Sequence, residues 1–251
     1  MDFAFATEAA PGRPNEDYLV LSADFAILLD GVTELPGLDS GCVHRVRWFV
    51  RALGHQLARA LAADSSIGLD TALAEAITAV NASHRTTCDL ANPNSPSSTV
   101  VVVRERDTEI DYLVLCDSAL VFDGPDGIVA VQDDRTESLP AYDRETVARL
   151  RNHPDGFWVA STVPAAANEA VTGSVRADRV RQMLLCTDGI TRLVDRFGWR
   201  WDEVFQLTGK HGPRGAIDAV RSSERDHLNR LSTGRRRVKQ HDDATIALRL
   251  G

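Results

Sequence analysis

The chain has 251 residues, a formal net charge of −8 at pH 7 and 43% hydrophobic residues. This composition is ordinary for a globular protein, and the length allows one large domain with a sizeable core. The negative charge argues against nucleic acid as a partner, because phosphate backbones attract basic surfaces. No apolar run approaches the roughly 20 residues that span a bilayer, which argues against a membrane protein.

Hydrophobic periodicity in the first part of the chain predicts short strands followed by two helices. Strands are predicted within residues 2–6 and 18–29, with a hairpin turn at Ser22-Ala23-Asp24. Apolar residues at helical spacing predict one helix over 42–61 and a second from 69 to about 90.

The remainder of the chain returns to strands and ends in helices and a last strand. The predicted strands are 99–103, 109–115, 120–122, 127–131, 156–160, the run ending at Asp188, and 244–250; the predicted helices are 144–151, about 202–207 and 213–231. Tight turns between neighbouring strands indicate mostly antiparallel sheets, and helices would cover their outer faces. We therefore predict an α+β fold in a single domain over 1–251.

The four cysteines are Cys42, Cys88, Cys116 and Cys186, and they are widely separated. None forms a C-x-x-C pair, so neither a thioredoxin motif nor a zinc knuckle is predicted. Cys116 and Cys186 lie in apolar runs and are expected to be buried. The N-terminal residues show no secretory signal, so we expect a cytoplasmic, reducing setting and a monomer.

Acids stand at the ends of several predicted strands. The run ending in Cys186 leads into Asp188, Ile27-Leu28-Leu29 leads into Asp30, Cys116 precedes Asp117, and Asp242 precedes the last strand. A buried carboxylate is costly unless something neutralises it, and several together repel one another. A cation resolves both problems, so the pattern predicts that these acids converge on a metal site.

Six short motifs occur in an order and at a spacing that are typical of one family. They are Asn15-Glu16-Asp17, Asp30-Gly31, Ser98-Thr99, Asp117-Ser118, Thr187-Asp188-Gly189 and Asp242-Asp243-Ala244-Thr245. From about residue 3 to 250, the sequence resembles the metal-dependent protein serine/threonine phosphatases of the PP2C (PPM) type.

The resemblance implies a four-layer α/β/β/α sandwich with a metal cluster in a cleft at one end of the two sheets. Asp30 would bridge two cations and the Gly31 carbonyl would bind one of them. The other implied metal residues are Asp188 and Asp242, Glu16 and Asp17 mainly through water, and Asp117 at a weaker third ion. Arg13 would bind the substrate phosphate.

The predicted ligands are all oxygens, which suit Mg²⁺ or Mn²⁺ rather than zinc or copper. Two or three such ions would lower the pKa of a bridging water, and the resulting hydroxide would attack phosphorus in line. The metals and Arg13 would offset charge on the phosphoryl oxygens. No nucleophilic side chain is required.

The sequence departs from the family after Asp30-Gly31, where Val32-Thr33-Glu34 replaces a histidine or methionine and two glycines. One hypothesis is that His44 reaches the cleft and acts as general acid; the alternative is a histidine packed under the sheet. The segment around 133–170, where the family carries a substrate-contacting flap, also has its own sequence.

Three functions remain open. The first is a phosphoserine/phosphothreonine protein phosphatase, and the second is a phosphatase of a small phosphorylated metabolite. The third is a regulatory binding module with weak or no turnover, which the missing glycines suggest. Arg235-Arg236-Arg237-Val238-Lys239 is interpreted as a solvated loop rather than a nucleic-acid patch.

Overall fold

The computed structural model describes residues 1–32, 37–230 and 240–250, with backbone only for 227–230. Thr33 and Glu34 of the altered segment and the basic stretch 235–239 lie outside the described residues. Across the described part of the chain, no helix combines the length and apolar character that crossing a membrane would require.

In the described residues, ten strands form two five-stranded antiparallel sheets. The first sheet has the order β1-β10-β9-β6-β7, with β1 Asp2–Glu8, β6 Ala119–Gly124, β7 Gly127–Val131, β9 Gln182–Cys186 and β10 Ala244–Leu250. The second has the order β2-β3-β4-β5-β8, with β2 Tyr18–Leu21, β3 Phe25–Gly31, β4 Ser98–Arg106, β5 Glu109–Leu115 and β8 Val171–Arg176. Tight turns join β2 to β3, β4 to β5 and β6 to β7, as the sequence predicts.

Helices lie on the outer face of each sheet. They are α1 Val46–Ala63, α2 Leu69–His84, α4 Asp188–Asp195 and α5 Trp201–Arg230, whereas the short helix α3 Arg144–Leu150 lies in the connection between β7 and β8. The apolar faces of α1 and α2 pack on the β2-to-β5 sheet, and α4 and α5 pack on the other. A third apolar cluster fills the space between the sheets. The result is the expected α+β, four-layer α/β/β/α sandwich.

Several sequence predictions need correction. Residues 156–160 are not a strand: single bridges join Phe157 to Arg151 and Ala160 to Ser98. These residues produce a strand-like pattern because Phe157–Ala160 are buried. The edge strand β8 was not predicted, because its mostly exposed side chains lack a hydrophobic signal. The last two predicted helices are both present within α5, where non-helical Gly212 (φ 71°, ψ 176°) separates them just before Pro213, and the first extends beyond its predicted end at 207.

The start of the first helix and the end of the second also differ from the predicted positions. The first starts at Val46 rather than 42, and the second ends at His84 rather than about 90. Residues 42–44 and 85–88 are therefore non-helical segments, and they meet through a backbone bridge between Cys42 and Cys88.

Candidate active site

The acidic motifs all lie at one end of the sandwich. Asp30 is near the end of β3, and its partner in β4 is Thr99, close to that strand's start. In the other sheet, the end of β9 pairs with the start of both β10 and β6. Because the strands are antiparallel, the turns that carry the predicted acids come together at this edge.

Asp30 lies at the centre of this acid cluster. Burial raises the pKa of its carboxyl well above the usual value, and the nearby charges of Asp17, Asp188, Asp242 and Asp117 raise it further. Its Oδ2 accepts a hydrogen bond of 3.3 Å from the backbone N–H of Asp188. The structure therefore brings together carboxylates that are far apart in sequence.

Asp188 is not the last residue of a strand, as the sequence suggests, but the first residue of α4. The backbone N–H groups at a helix start are unsatisfied within the helix and carry partial positive charge. One of these groups is the N–H that binds Asp30. The helix start thus compensates part of the negative charge of the cluster.

Gly31 must be a glycine because neighbouring atoms leave no room for a side chain. A Cβ at this position would meet Val46 Cγ1 at 2.5 Å and the Glu16 carbonyl oxygen at 2.7 Å. The absence of a side chain lets the Glu16 segment approach the end of β3. Close packing around Gly31, and not only a turn, therefore requires glycine after Asp30.

Asp17 is buried and held by two threonine hydroxyls. Its Oδ2 accepts hydrogen bonds from Thr245 Oγ1 at 2.7 Å and Thr187 Oγ1 at 3.1 Å. Burial, and secondarily the charges of Asp243 and Asp188, raise the pKa of Asp17 to about 8 despite these hydrogen bonds. Its Oδ1 is buried and has no hydrogen-bond partner among the described residues.

Asp242 forms a buried ion pair that the sequence did not indicate. Its Oδ2 accepts from Arg192 Nη2 at 2.9 Å, and Arg192 Nη1 contacts Glu224 Oε1, also at 2.9 Å. Glu224 is bound in turn by Arg221 and His241. This network joins α4, α5 and the segment before β10, and it fixes the position of Asp242.

The adjacent Asp243 organises the loop that contains Glu16. Its Oδ1 accepts from the backbone N–H of Ala10, and its Oδ2 from that of Glu16, both at 2.7 Å. Asp243 is buried, and it caps backbone N–H groups of this loop instead of facing solvent. It connects the N-terminal loop directly to the start of β10.

Asp117 follows Cys116 in a strained turn. Cys116 has φ of 68°, the left-handed region that a glycine adopts without cost. Its N–H donates to Asp133 Oδ2 at 3.1 Å, and Asp133 is held by Arg135. Burial is the main cause that raises the pKa of Asp117. The turn therefore holds a costly carboxylate near Asp242, which also contributes to this rise.

The serine and threonine motifs have a structural role. Thr99 Oγ1 and Ser118 Oγ share a buried hydrogen bond of 2.6 Å, and Ser98 Oγ donates to the Asp30 carbonyl at 3.0 Å. These contacts join the start of β4 to the end of β3 and to the turn that contains Asp117.

Arg13 and His44 are the two remaining predicted site residues. Arg13 is exposed in a turn where its N–H donates to the Ala10 carbonyl. His44 stacks on Trp48, and its Nδ1 faces the sulfurs of Cys42 and Cys88. Because its Nδ1 faces these sulfurs, the mechanism proposed below gives His44 no part in proton transfer.

The acid cluster fits a hard divalent cation. The side chains of Asp17, Asp30, Asp117 and Asp188 supply oxygen donors, which Mg²⁺ and Mn²⁺ prefer. A buried carboxylate oxygen without a partner, as at Asp17 Oδ1, is costly unless a cation or water satisfies it. Sequence reasoning found these acids but not Arg192, whose pairing depends on the packing of α4 against α5.

In the metal-free protein, we expect the free energy of unfolding to fall as the pH rises from about 4 to about 8. The pKa of Asp17 is about 8 in the folded protein, against an ordinary value of 3.8. Between these values the folded state binds more protons than the unfolded state, so raising the pH favours unfolding. Urea denaturation in chelator across this range, with Asp17→Asn as the comparison, measures the slope. An equal slope in both proteins would contradict the assignment.

Several solved phosphatase structures share this fold. The PPM Ser-Thr phosphatase MsPP from Mycobacterium smegmatis, in complex with cacodylate, is 16% identical with a TM-score of 0.63 and coverage of 100% of this chain and 99% of that one. Serine/threonine phosphatase Stp1 from Staphylococcus aureus is 16% identical with a TM-score of 0.65 and coverage of 98% and 93%. The catalytic domain of phosphatase PstP, in complex with two manganese ions, is 14% identical with a TM-score of 0.59 and coverage of 98% and 96%.

At these identities the structural matches establish the fold alone. No curated protein matches the sequence. The family model described as Protein phosphatase 2C matches residues 7–220, a range that contains Asp17, Asp30, Asp117 and Asp188 and spans most of both sheets. The chain therefore belongs to the protein phosphatase 2C family.

Proposed function

We propose that this protein is a metal-dependent phosphomonoester hydrolase that acts on phosphoserine and phosphothreonine in proteins. The observation that carries the proposal is the acid cluster around Asp30, in which burial and then the charges of four neighbouring acids raise the pKa of its carboxyl. Such an arrangement is costly in a protein without a cation. A fold-matched phosphatase, PstP, has two manganese ions in its structure.

The carboxylates of Asp30, Asp188 and Asp242 would hold two Mn²⁺ or Mg²⁺ ions, with the Gly31 carbonyl as a further ligand. Glu16 and Asp17 would contact the ions mainly through water, and Asp117 would help to hold a third. When bound, these ions would supply the positive charge that activates water and neutralises the phosphoryl group.

The chain's own residues keep this site in position. Thr187 and Thr245 fix one carboxylate oxygen of Asp17, and Arg192 fixes Asp242. Asp243 holds the loop between Ala10 and Glu16 by its backbone. Arg13 lies in this loop, and its exposed guanidinium is the group that we assign to the phosphoryl oxygens of the substrate.

A second candidate, hydrolysis of a small phosphorylated metabolite, is favoured by one feature. A small cleft of ≈ 40 Å³ lies beside Val32, between the 38–40 segment and α3, and Arg144 and Arg151 line it. Two arginines at the edge of a cleft suit a second anionic group on a compact substrate. Val32 lies in the altered segment after Asp30-Gly31, and Arg144 and Arg151 lie in the segment 133–170, which also departs from the family.

Substrate assays separate these candidates. We expect Mn²⁺-dependent release of phosphate from phosphoserine and phosphothreonine peptides, lost in chelator and restored by added Mn²⁺. A panel of phosphorylated sugars and nucleotides is assayed in parallel by kcat/KM. A preference for the metabolites, abolished in Arg144→Ala, would favour the second candidate. Metal-dependent turnover of neither class, nor of p-nitrophenyl phosphate, would overturn both.

A further inference from the structure

A second group of metal-ligating side chains lies outside the acid cluster. Cys42, His44, His84 and Cys88 each offer one ligand atom, and these four atoms lie within 4.8 Å of one another. Cys42 Sγ is 3.7 Å from His44 Nδ1 and 3.5 Å from His84 Nδ1. His44 Nδ1 is 3.4 Å from Cys88 Sγ.

These distances are those of neighbouring ligands around one tetrahedral ion. Zinc binds thiolate sulfur at about 2.3 Å and imidazole nitrogen at about 2.0–2.1 Å, so tetrahedral geometry separates a sulfur from a nitrogen by about 3.6 Å. The three measured separations span 3.4–3.7 Å. We propose that Cys42, His44, His84 and Cys88 bind one Zn²⁺ ion when the two thiols are reduced.

The backbone holds the two halves of this site together. Cys42 and His44 lie before α1, whereas His84 ends α2 and Cys88 follows it. The two segments are joined by the bridge between Cys42 and Cys88 and by a hydrogen bond of 2.7 Å from the Asp89 N–H to the Gly41 carbonyl. A site preorganised in this way binds metal without a large loss of chain entropy.

The surroundings of the imidazoles also favour a metal. His84 is 2% exposed, and its Nδ1 faces the sulfur of Cys42. Sulfur is a weak hydrogen-bond acceptor, so the contact with Cys42 alone satisfies this buried imidazole poorly. Trp48 stacks on His44 with ring centroids 4.0 Å apart, which fixes the ring with its Nδ1 facing the sulfurs.

The ligand chemistry separates this site from the acid cluster. Thiolate and imidazole ligands select zinc, whereas the oxygen ligands of the acid cluster suit Mg²⁺ or Mn²⁺. Two thiolates also balance the charge of one Zn²⁺ ion. Binding needs no oxidant, since the two thiols each release a proton and the zinc takes their place.

The structure joins Cys42 and Cys88 as a disulfide, which is the competing state of the same four residues. A disulfide accounts for the two sulfurs but gives no role to the two imidazoles directed at them. In either state, residues 42–44 are held against the residues that follow α2.

The test uses the full chain purified with a reductant and loaded with Zn²⁺ or Co²⁺. We expect roughly one equivalent of tightly held zinc, and cobalt should give a thiolate-to-metal charge-transfer band with intense visible bands of tetrahedral Co²⁺. Cys42→Ser and His44→Ala should each bind zinc at least about tenfold more weakly than the wild-type protein does. The carboxylate cluster cannot produce the thiolate band.

Matched controls are Cys186→Ala, a cysteine in β9, and His153→Ala, an exposed histidine; both should retain the zinc and the cobalt spectrum. Circular dichroism establishes that each variant is folded. The proposal is overturned if reduced wild-type protein binds no more zinc than Cys42→Ser does. It is also overturned if mass spectrometry finds the disulfide intact after reduction and incubation with excess zinc.

Discussion

Asp30→Asn is expected to lower Mn²⁺-dependent phosphatase turnover by at least about 10³-fold, equivalent to about 4 kcal/mol of transition-state stabilisation. Asparagine keeps the shape of the side chain but removes the charge at the centre of the acid cluster. Hydrolysis of p-nitrophenyl phosphate with saturating Mn²⁺ measures the loss. Because Asp30 is buried among like charges, we also expect the metal-free variant to be more stable than the wild type.

These opposite effects make the result specific. Loss of activity with a gain in metal-free melting temperature, and a smaller shift on adding Mn²⁺, identifies a metal ligand rather than a folding defect. The control is Asp24→Asn, an exposed residue at the other end of β3 whose substitution should change neither quantity. Full turnover in Asp30→Asn would rule out the metal mechanism, and absent turnover in the wild type would support a regulatory binding module.

Arg192→Met is expected to destabilise the metal-free protein by roughly 3–5 kcal/mol. Arg192 is 2% exposed and contacts Asp242 and Glu224 at 2.9 Å each. Its removal leaves the buried carboxylate of Asp242 without that partner in an already negative cluster. Urea denaturation in chelator measures the change, which should be smaller with saturating Mn²⁺ because a bound cation compensates the same charge.

The control for this prediction is Arg214→Met in α5. Arg214 also contacts two acids, Glu8 and Asp218, but it is exposed, so we expect a loss below about 1 kcal/mol. Arg192→Lys should restore only part of the stability, because an ammonium group lacks the two-armed geometry that spans both carboxylates. Equal losses at Arg192 and Arg214 would contradict the role given to the buried pair.

The sequence predicts the fold well where side-chain burial follows a regular period. The strands 109–115, 127–131 and 244–250 have the predicted bounds. The prediction fails where buried residues do not form a hydrogen-bonded strand, as at Phe157–Ala160. Edge strand β8 shows the converse, since it is hydrogen-bonded but mostly exposed.

For the site, the acids could be found because each stands next to a strongly apolar run. The partners that position them could not, since the ion pair of Arg192 with Asp242 and the hydrogen bonds of Asp243 depend on packing between distant elements. The cysteines show a similar limit. A search for C-x-x-C pairs misses Cys42-x-His44 and His84-x₃-Cys88, whose halves meet only when α1 packs on α2.

The pairing of β1 with β10 has a consequence for the order of assembly. Asp2 lies opposite Leu250 and Glu8 opposite Ala244. The strand β1 can therefore pair within its sheet only after β10 has formed. Asp243 likewise fastens Ala10 and Glu16. The N-terminal loop is therefore anchored only when the start of β10, with Asp242 and Asp243 before it, is in place. Assembly of the acid cluster depends on contacts of high sequence separation, which are slow to form.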